Sequence, residues 1–217
     1  MSLTAGSECE IGLRYNVAPT QNAPVVRSEP NGDLVLQMMR WGLVPSWAKD
    51  PGIGSRTINA RSETAASLPA FRGAFKARRC LVPASGFYEW QVASGGRSKL
   101  PWYFRLRDGG VLCFAGLWER WQGQGTAPIE TFTILTTTPN GLLKSLHDRM
   151  PAVVRPEFRE AWLRAGELPS NVRSEVFAPL HEVQMEGYRV GTGVNSPAHD
   201  APDCIRQVPV EPESLWG

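Results

Sequence analysis

The 217-residue sequence has little from which to build a metal or redox centre. Its four cysteines, Cys9, Cys80, Cys113 and Cys204, are widely scattered and form no CxxC pair. The three histidines, His147, His181 and His199, complete no zinc-ligand spacing. No metal or cofactor is therefore expected. Cys80 and Cys113 lie in apolar runs, where a free cysteine packs as a small core residue. A reducing, cytoplasmic compartment follows. No stretch approaches the roughly 20 apolar residues of a membrane helix. The first residues have no basic segment leading into an apolar one, so no secretory signal is visible. Charge is also nearly balanced, at +2 from 23 basic and 21 acidic residues, too little to argue for a polyanion partner unless the charges cluster.

What the chain does have is punctuation. Its 21 glycines and 18 prolines are spread throughout and divide it into many short segments, the pattern of a strand-rich domain. Strands are expected at 34–39, 80–83, 86–90, 102–107, 111–117 and 131–137, with weaker candidates at 183–190 and 205–210. Asp108-Gly109-Gly110 is a hairpin turn signal, and Ser94-Gly95-Gly96 a second loop tip. Helices are fewer: 156–165, with proline in its first turn and Gly166 at its end, a pair at 62–67 and 69–76, and a short one at 141–146. The fold class is a single α+β domain on a curved, mostly antiparallel sheet. Its edges could be buried in an open β-barrel carrying a few short helices.

Four strings could carry chemistry. In Phe87-Tyr88-Glu89-Trp90, strand alternation puts Glu89 on a face with Phe87 and puts Tyr88 and Trp90 on the other. A carboxylate among aromatics is driven toward its protonated form, which suits acid/base work near neutral pH. It equally suits an edge glutamate paired with an arginine. Asn59-Ala60-Arg61-Ser62-Glu63 offers an amide and a planar cation fork, or a helix cap with Glu63 in the first turn. In His147-Asp148-Arg149-Met150-Pro151 a titratable imidazole stands beside a carboxylate and a guanidinium, and Met150-Pro151 sets an extended exit. Finally, Trp41 and Trp47 bracket a short segment, and Arg72, Lys76, Arg78 and Arg79 cluster. These are parts for stacking bases and tracking phosphates, or else core tryptophans and a solvated helix face.

The order of the strings is more specific than any one of them. Arg14-Tyr15-Asn16-Val17-Ala18-Pro19-Thr20, Trp41 to Trp47, Asn59 to Thr64, Gly86 to Trp90, His147 to Pro151 and Val194-Asn195-Ser196-Pro197 together resemble the SOS-response-associated peptidase (SRAP) family. The resemblance implies a β-rich domain that recognises abasic sites in single-stranded DNA, acts as a monomer and works near the nucleoid. It also implies self-processing peptidase chemistry: the initiator methionine is removed to expose a cysteine. That cysteine's amine and thiol close a thiazolidine on the ring-opened sugar aldehyde. By position, Glu89 matches the acid/base glutamate, Asn59 the asparagine that orients the reacting end, and His147 the histidine near the aldehyde. Arg61 and Arg149 match phosphate-contacting arginines. Trp47 and Trp90 match aromatics against bases, while Asn16, Pro19 and Thr136 line the pocket.

The start departs from the family pattern of Met-Cys-Gly-Arg. Met1-Ser2-Leu3 stands there instead, and the nitrogen of Cys9 is locked in a peptide bond. Residues 1–13 are read as a shortened or replaced leader and 14–217 as the SRAP-like domain. The polypeptide is therefore expected not to form the thiazolidine. Two other readings are a non-covalent reader of single-stranded or modified-base DNA, and an unrelated hydrolase using Glu89 and His147.

Overall fold

The computed structural model describes residues 3–5, 11–92, 96 and 99–209. Cys9 and most of the 94–96 loop tip lie outside them. Eleven strands and three α-helices are formed among the described residues. They are β1 (Leu3–Ala5), β2 (Asn22–Ser28), β3 (Leu34–Trp41), β4 (Asn59–Arg61), α1 (Arg72–Ala77), β5 (Arg79–Ala84), β6 (Phe87–Val92), β7 (Lys99–Leu106), β8 (Leu112–Trp121), β9 (Ile129–Thr137), β10 (Met150–Pro151), α2 (Arg159–Leu163), α3 (Ser170–Phe177) and β11 (Met185–Arg189).

The main sheet closes on itself. β3, β2, β5, β8 and β9 pair in that order, and β9 returns to β3 through a short parallel contact, Arg40 with Thr131 and Trp41 with Phe132. Every other pairing around this ring is antiparallel. Closure leaves fewer strand edges to protect than an open sheet would. β9 pairs with four other strands: β8, β3, β4 and β10. Its sequence fits that position, with β-branched residues and phenylalanine buried from Thr131 through Thr137.

A second sheet of β6, β7 and β11 packs on the barrel. Its register sets Phe87 beside Phe104 and Gly187, and the next row on the same face sets Glu89 beside Trp102 and Arg189. The first row enters the barrel core: Phe87 stacks on Phe104 at 5.5 Å and meets Phe114 edge-on at 5.8 Å. The opposite face carries Tyr88, Tyr103 and Tyr188 against Val190, Val194 and Cys204. The expected alternation of Glu89 with Tyr88 and Trp90 is thus present.

The helices cover the other side, where Trp162, Phe75 and Phe177 form a mutual aromatic contact. Arg79 is buried there with no carboxylate partner among the described residues. It donates instead to the carbonyls of Trp162 at 2.6 Å, Phe75 at 2.7 Å, Gly166 at 2.9 Å and Arg164. Its neighbour Arg78 is paired with Glu119 at 2.6 Å. Half of the basic run thus has structural partners, and only Arg72 and Lys76 are fully exposed.

Several expected elements differ. The 156–165 helix begins as a 3-10 turn, Pro156–Phe158, and is α-helical only over Arg159–Leu163. Of the 62–76 pair only Arg72–Ala77 is α-helical, and 141–146 is a series of turns. β2 contains Pro24, which masks a strand in sequence, and β4 is too short to show a period. The 205–210 candidate is instead a 3-10 turn, Pro202–Ile205, followed by one bridge from Gln207 to Val190.

Candidate active site

The candidate residues are carried by the second sheet, by β4 and by the turn that leads into β10. Glu89 is half-buried on the inward face of β6, one row beyond Phe87 and Phe104. Burial drives its carboxyl pKa upward. His147 opposes the shift through its charge and Asp148 adds to it, so both belong to the same electrostatic environment as Glu89. The chain reaches Glu89 through Gly86, where any side chain would strike the Phe104 carbonyl and the Tyr103 ring. That close approach fixes where β6 enters the site.

The turn carrying His147 is closely braced. The Arg149 backbone N–H donates to His147 Nδ1 at 3.0 Å, and the same nitrogen lies 3.1 Å from the Arg149 carbonyl and 3.3 Å from Asp148 Oδ1. The Arg149 side chain points the other way. Its two terminal nitrogens each donate to one oxygen of Glu63 at 2.8 Å, and it also donates to the Thr136 carbonyl and, at 3.5 Å, to Thr136 Oγ1. The Glu63 carboxyl is held down at about pKa 2, chiefly by its hydrogen bond from Arg149.

Strand register gathers further residues. β4 and β10 both lie against β9, so Arg61 pairs with Thr136 and Pro151 pairs with Thr136 from the other side. Asn59 and Arg61 share a face of β4 and are exposed, and neither side chain has a hydrogen-bond partner among the described residues. Pro19 is exposed in a turn closed by Gln21 N–H to the Ala18 carbonyl, with Thr20 at φ +75°. A left-handed φ is costly for a β-branched residue. The turn is held to Trp41, whose indole donates to the Ile58 carbonyl beside Asn59.

Strand register and side-chain bonds thus link Asn59 and Arg61 on β4, Thr136 on β9 and the Arg149–His147 turn, and charge links that turn to Glu89; Pro19 lies on a turn bonded to Trp41. Three of the expected residues lie elsewhere. The Asn16 side chain is buried, and its amide donates to the carbonyls of Val194, Ser196 and His199. It braces the entering chain to the C-terminal loop, helped by Asp200, which accepts from the Tyr15 and Asn16 backbones. Trp90 stands on the face of β6 opposite Glu89 and donates to Asn195 Oδ1 at 2.7 Å. Trp47 is 60% exposed over a separate small cavity lined by Pro45, Pro69, Arg72 and Arg78. His199, Asp203 and Cys204 have their donor atoms within 4.8 Å of one another. They satisfy each other, however: His199 pairs with Asp203 at 2.9 Å, and Cys204 donates to the His199 carbonyl. Burial pushes the Cys80 and Cys113 thiols up, away from reactivity. The residue that sequence reasoning undervalued is Glu63, seen only as a first-turn helix glutamate; its partner lies 86 positions away.

A closed barrel with a side sheet, carrying a half-buried acid that feels the charge of a nearby imidazole, defines an α+β barrel domain. The chain belongs to the SOS response associated peptidase (SRAP) family, whose model matches residues 3–197. It is 38% identical over 198 residues to the abasic site processing protein YoqW of Bacillus subtilis, covering 91% of this chain and 88% of that protein. It is 34% identical to the abasic site processing protein HMCES of Gallus gallus, over 91% of this chain and 66% of that protein. A crystal structure of a Bacteroides thetaiotaomicron protein superposes with a TM-score of 0.77 at 29% identity, covering 87% of this chain and 82% of that one. No described helix is long and apolar enough to cross a membrane.

Proposed function

We propose that this protein binds abasic sites in single-stranded DNA and handles the sugar aldehyde with Glu89 and His147. The observation that carries the reading is the half-buried Glu89 carboxyl, pushed toward its neutral form by burial and near enough to His147 to feel its charge. Aldehyde capture by an amine needs this kind of group. The amine adds to the carbonyl carbon, and the resulting hydroxyl leaves as water only when an acid protonates it. The imine then accepts a thiol at carbon while its nitrogen takes up a proton. His147 can carry the complementary proton, and Asn59 can orient the reacting end. Arg61, exposed and with no partner among the described residues, supplies the backbone contact, and Trp47, away from the Glu89 group, offers an exposed face for a base further along the strand. Peptidase self-processing would use the same glutamate to move a proton at the first peptide bond.

Closing a thiazolidine needs an amine and a thiol on one residue. The test uses an abasic single-stranded oligonucleotide and a denaturing gel. This polypeptide is expected to shift the DNA in native gels in a salt-sensitive way and to leave no heat-stable adduct. A variant with the leader Met-Cys-Gly-Arg is expected to form one, and Glu89→Gln in that variant to lose it. Normal trapping by that Gln variant would refute the acid/base role. Native binding that ignores the abasic site, and no trapping with the restored leader, would favour a general single-strand reader.

A further inference from the structure

We propose that Arg189 is a further phosphate-binding residue, which takes a backbone phosphate of single-stranded DNA on the Glu89 face of the side sheet. The inference rests on the reading that this protein binds single-stranded DNA, and it adds a contact carried by β11. Register places the residue. Glu89 of β6, Trp102 of β7 and Arg189 of β11 pair in one row across three strands, so their side chains leave the same face. At the usual strand spacing the Glu89 and Arg189 backbones lie roughly 10 Å apart. The preceding row, with Phe87 and Phe104, is spent on the barrel core. Arg189 is also fixed along its backbone, by pairing with Trp102 on one edge and by the Val208 N–H, which donates to its carbonyl at 2.9 Å, on the other.

The half-buried guanidinium has no acceptor. Its Nε is buried without one, and none of its N–H groups has a partner among the described residues. Arg78 and Arg155 also bury an unpartnered Nε, but their terminal nitrogens are paired with Glu119 and Glu175. Arg189 lacks even that, although its row contains a carboxylate. Trp102 offers an anion nothing in its place: its indole N–H donates to Gln91 Oε1 at 3.0 Å, and its ring stacks on Phe104 at 6.4 Å. A buried donor without an acceptor costs free energy and calls for a partner. A planar, always-charged fork is suited to a phosphate in that role. A strand whose abasic sugar reaches Glu89 brings its own phosphates to this face, so the nearest incoming acceptor is part of the same ligand.

The experiment measures binding of the full chain to single-stranded DNA carrying a tetrahydrofuran abasic analogue, across a salt series. Arg189→Gln is expected to weaken binding severalfold and to flatten the salt slope by about 0.7, the share of one phosphate contact on a single strand. Arg189→Lys should keep the slope and lose part of the affinity, since the charge remains and the fork does not. Thermal unfolding of Arg189→Gln is expected at or above the parent midpoint, because the donors removed have no partner in the fold. A second arm replaces single phosphates on either side of the lesion with neutral methylphosphonates. One position should weaken the parent but not Arg189→Gln, and it should differ from the position silenced by Arg61→Ala. Unchanged affinity and slope in Arg189→Gln overturns the proposal, as does one position shared by both arginines. A lowered Tm accompanying the weaker binding would assign Arg189 to the fold and also overturn it. Inorganic phosphate at matched ionic strength should leave the difference between parent and Arg189→Gln intact; its loss would make this a free-phosphate site and refute the DNA contact. A parent that binds intact and abasic strands alike would refute lesion recognition, while the methylphosphonate arm still decides Arg189. A parent that binds neither strand ends both readings.

Discussion

Gly86→Ala should separate the fold from the site. The added Cβ would lie 2.5 Å from the Tyr103 hydroxyl oxygen and nearer still to the Tyr103 ring and the Phe104 carbonyl. The carbonyl belongs to strand β7 and cannot swing aside like the tip of a flexible side chain. Ordinary contact begins near 3.4 Å, so relieving the 2.4 Å approach to the Phe104 carbonyl requires β6 to recede by about 1.0 Å where it leaves the bend at Ser85. Forced overpacking of this kind costs about 1–3 kcal/mol. For a chain of this size that lowers Tm by roughly 2–12 °C, well within a total stability of about 5–15 kcal/mol. The protein stays folded at 25 °C. Glu89 lies three residues downstream, and its geometry to His147 shifts with the strand. A misplacement of about 1 Å at a reacting group costs on the order of 100-fold in rate. The assay is single-turnover adduct formation by the variant with the restored leader, beside thermal unfolding by circular dichroism. The expected result is a modest loss of Tm and a rate loss of one to two orders of magnitude. A folded alanine variant that traps within about twofold of the parent rate would show that Gly86 does not set the position of Glu89.

Glu89→Gln should stabilise the protein at neutral pH. Burial raises the folded pKa of Glu89 above its unfolded value, so the folded state binds the proton more tightly and the penalty appears as pH rises through the shifted pKa. The gain in Tm should shrink toward zero below the ordinary carboxyl range, and a gain independent of pH would contradict the assignment. Thr133 Oγ1 is buried in β9 with no partner among the described residues, so Thr133→Val, of the same shape, should raise stability by about 1 kcal/mol in urea titration. Arg79→Lys keeps the charge but not the planar fork that reaches four carbonyls. It should cost about 3–5 kcal/mol, and a loss under about 1 kcal/mol would mean the carbonyl cage contributes little.

The parts legible in the sequence are those whose information is local. Alternation along Phe87-Tyr88-Glu89-Trp90 correctly put the glutamate on the face of Phe87, which packs partly buried against the core, because pleating depends only on neighbours. The Asp108-Gly109-Gly110 turn is equally local: Gly109 takes φ +74°, and Asp108 accepts from the Gly110 N–H. Closure of the barrel was not legible, since it depends on a two-residue parallel contact between β3 and β9, some 90 positions apart. α3 was missed for a different reason. Its sequence, Ser-Asn-Val-Arg-Ser-Glu-Val-Phe, has little amphipathic period, and the helix is held by packing Val172 and Val176 into the core.

The arginines make the same point about function. In sequence, Arg61, Arg78, Arg79 and Arg149 are equivalent cations, each able to meet a phosphate. In the fold they divide according to which acceptors reach them first. Arg79 is enclosed by main-chain carbonyls, Arg78 by Glu119, and Arg149 by Glu63 and Thr136. Arg61 alone of the four has no partner among the described residues. A near-neutral chain can still meet a polyanion through a few uncommitted cations, and β4 sets exposed Arg61 in register with Thr136 of β9, the residue that also holds Arg149. The electrostatic term for binding should therefore be small and focused. Arg61→Ala should reduce both affinity and salt slope for single-stranded DNA, the slope by about 0.7. Arg78→Ala and Arg79→Lys should leave the slope unchanged while lowering stability. A salt slope that falls equally in all three would mean that the internal partners do not withdraw these cations from the surface.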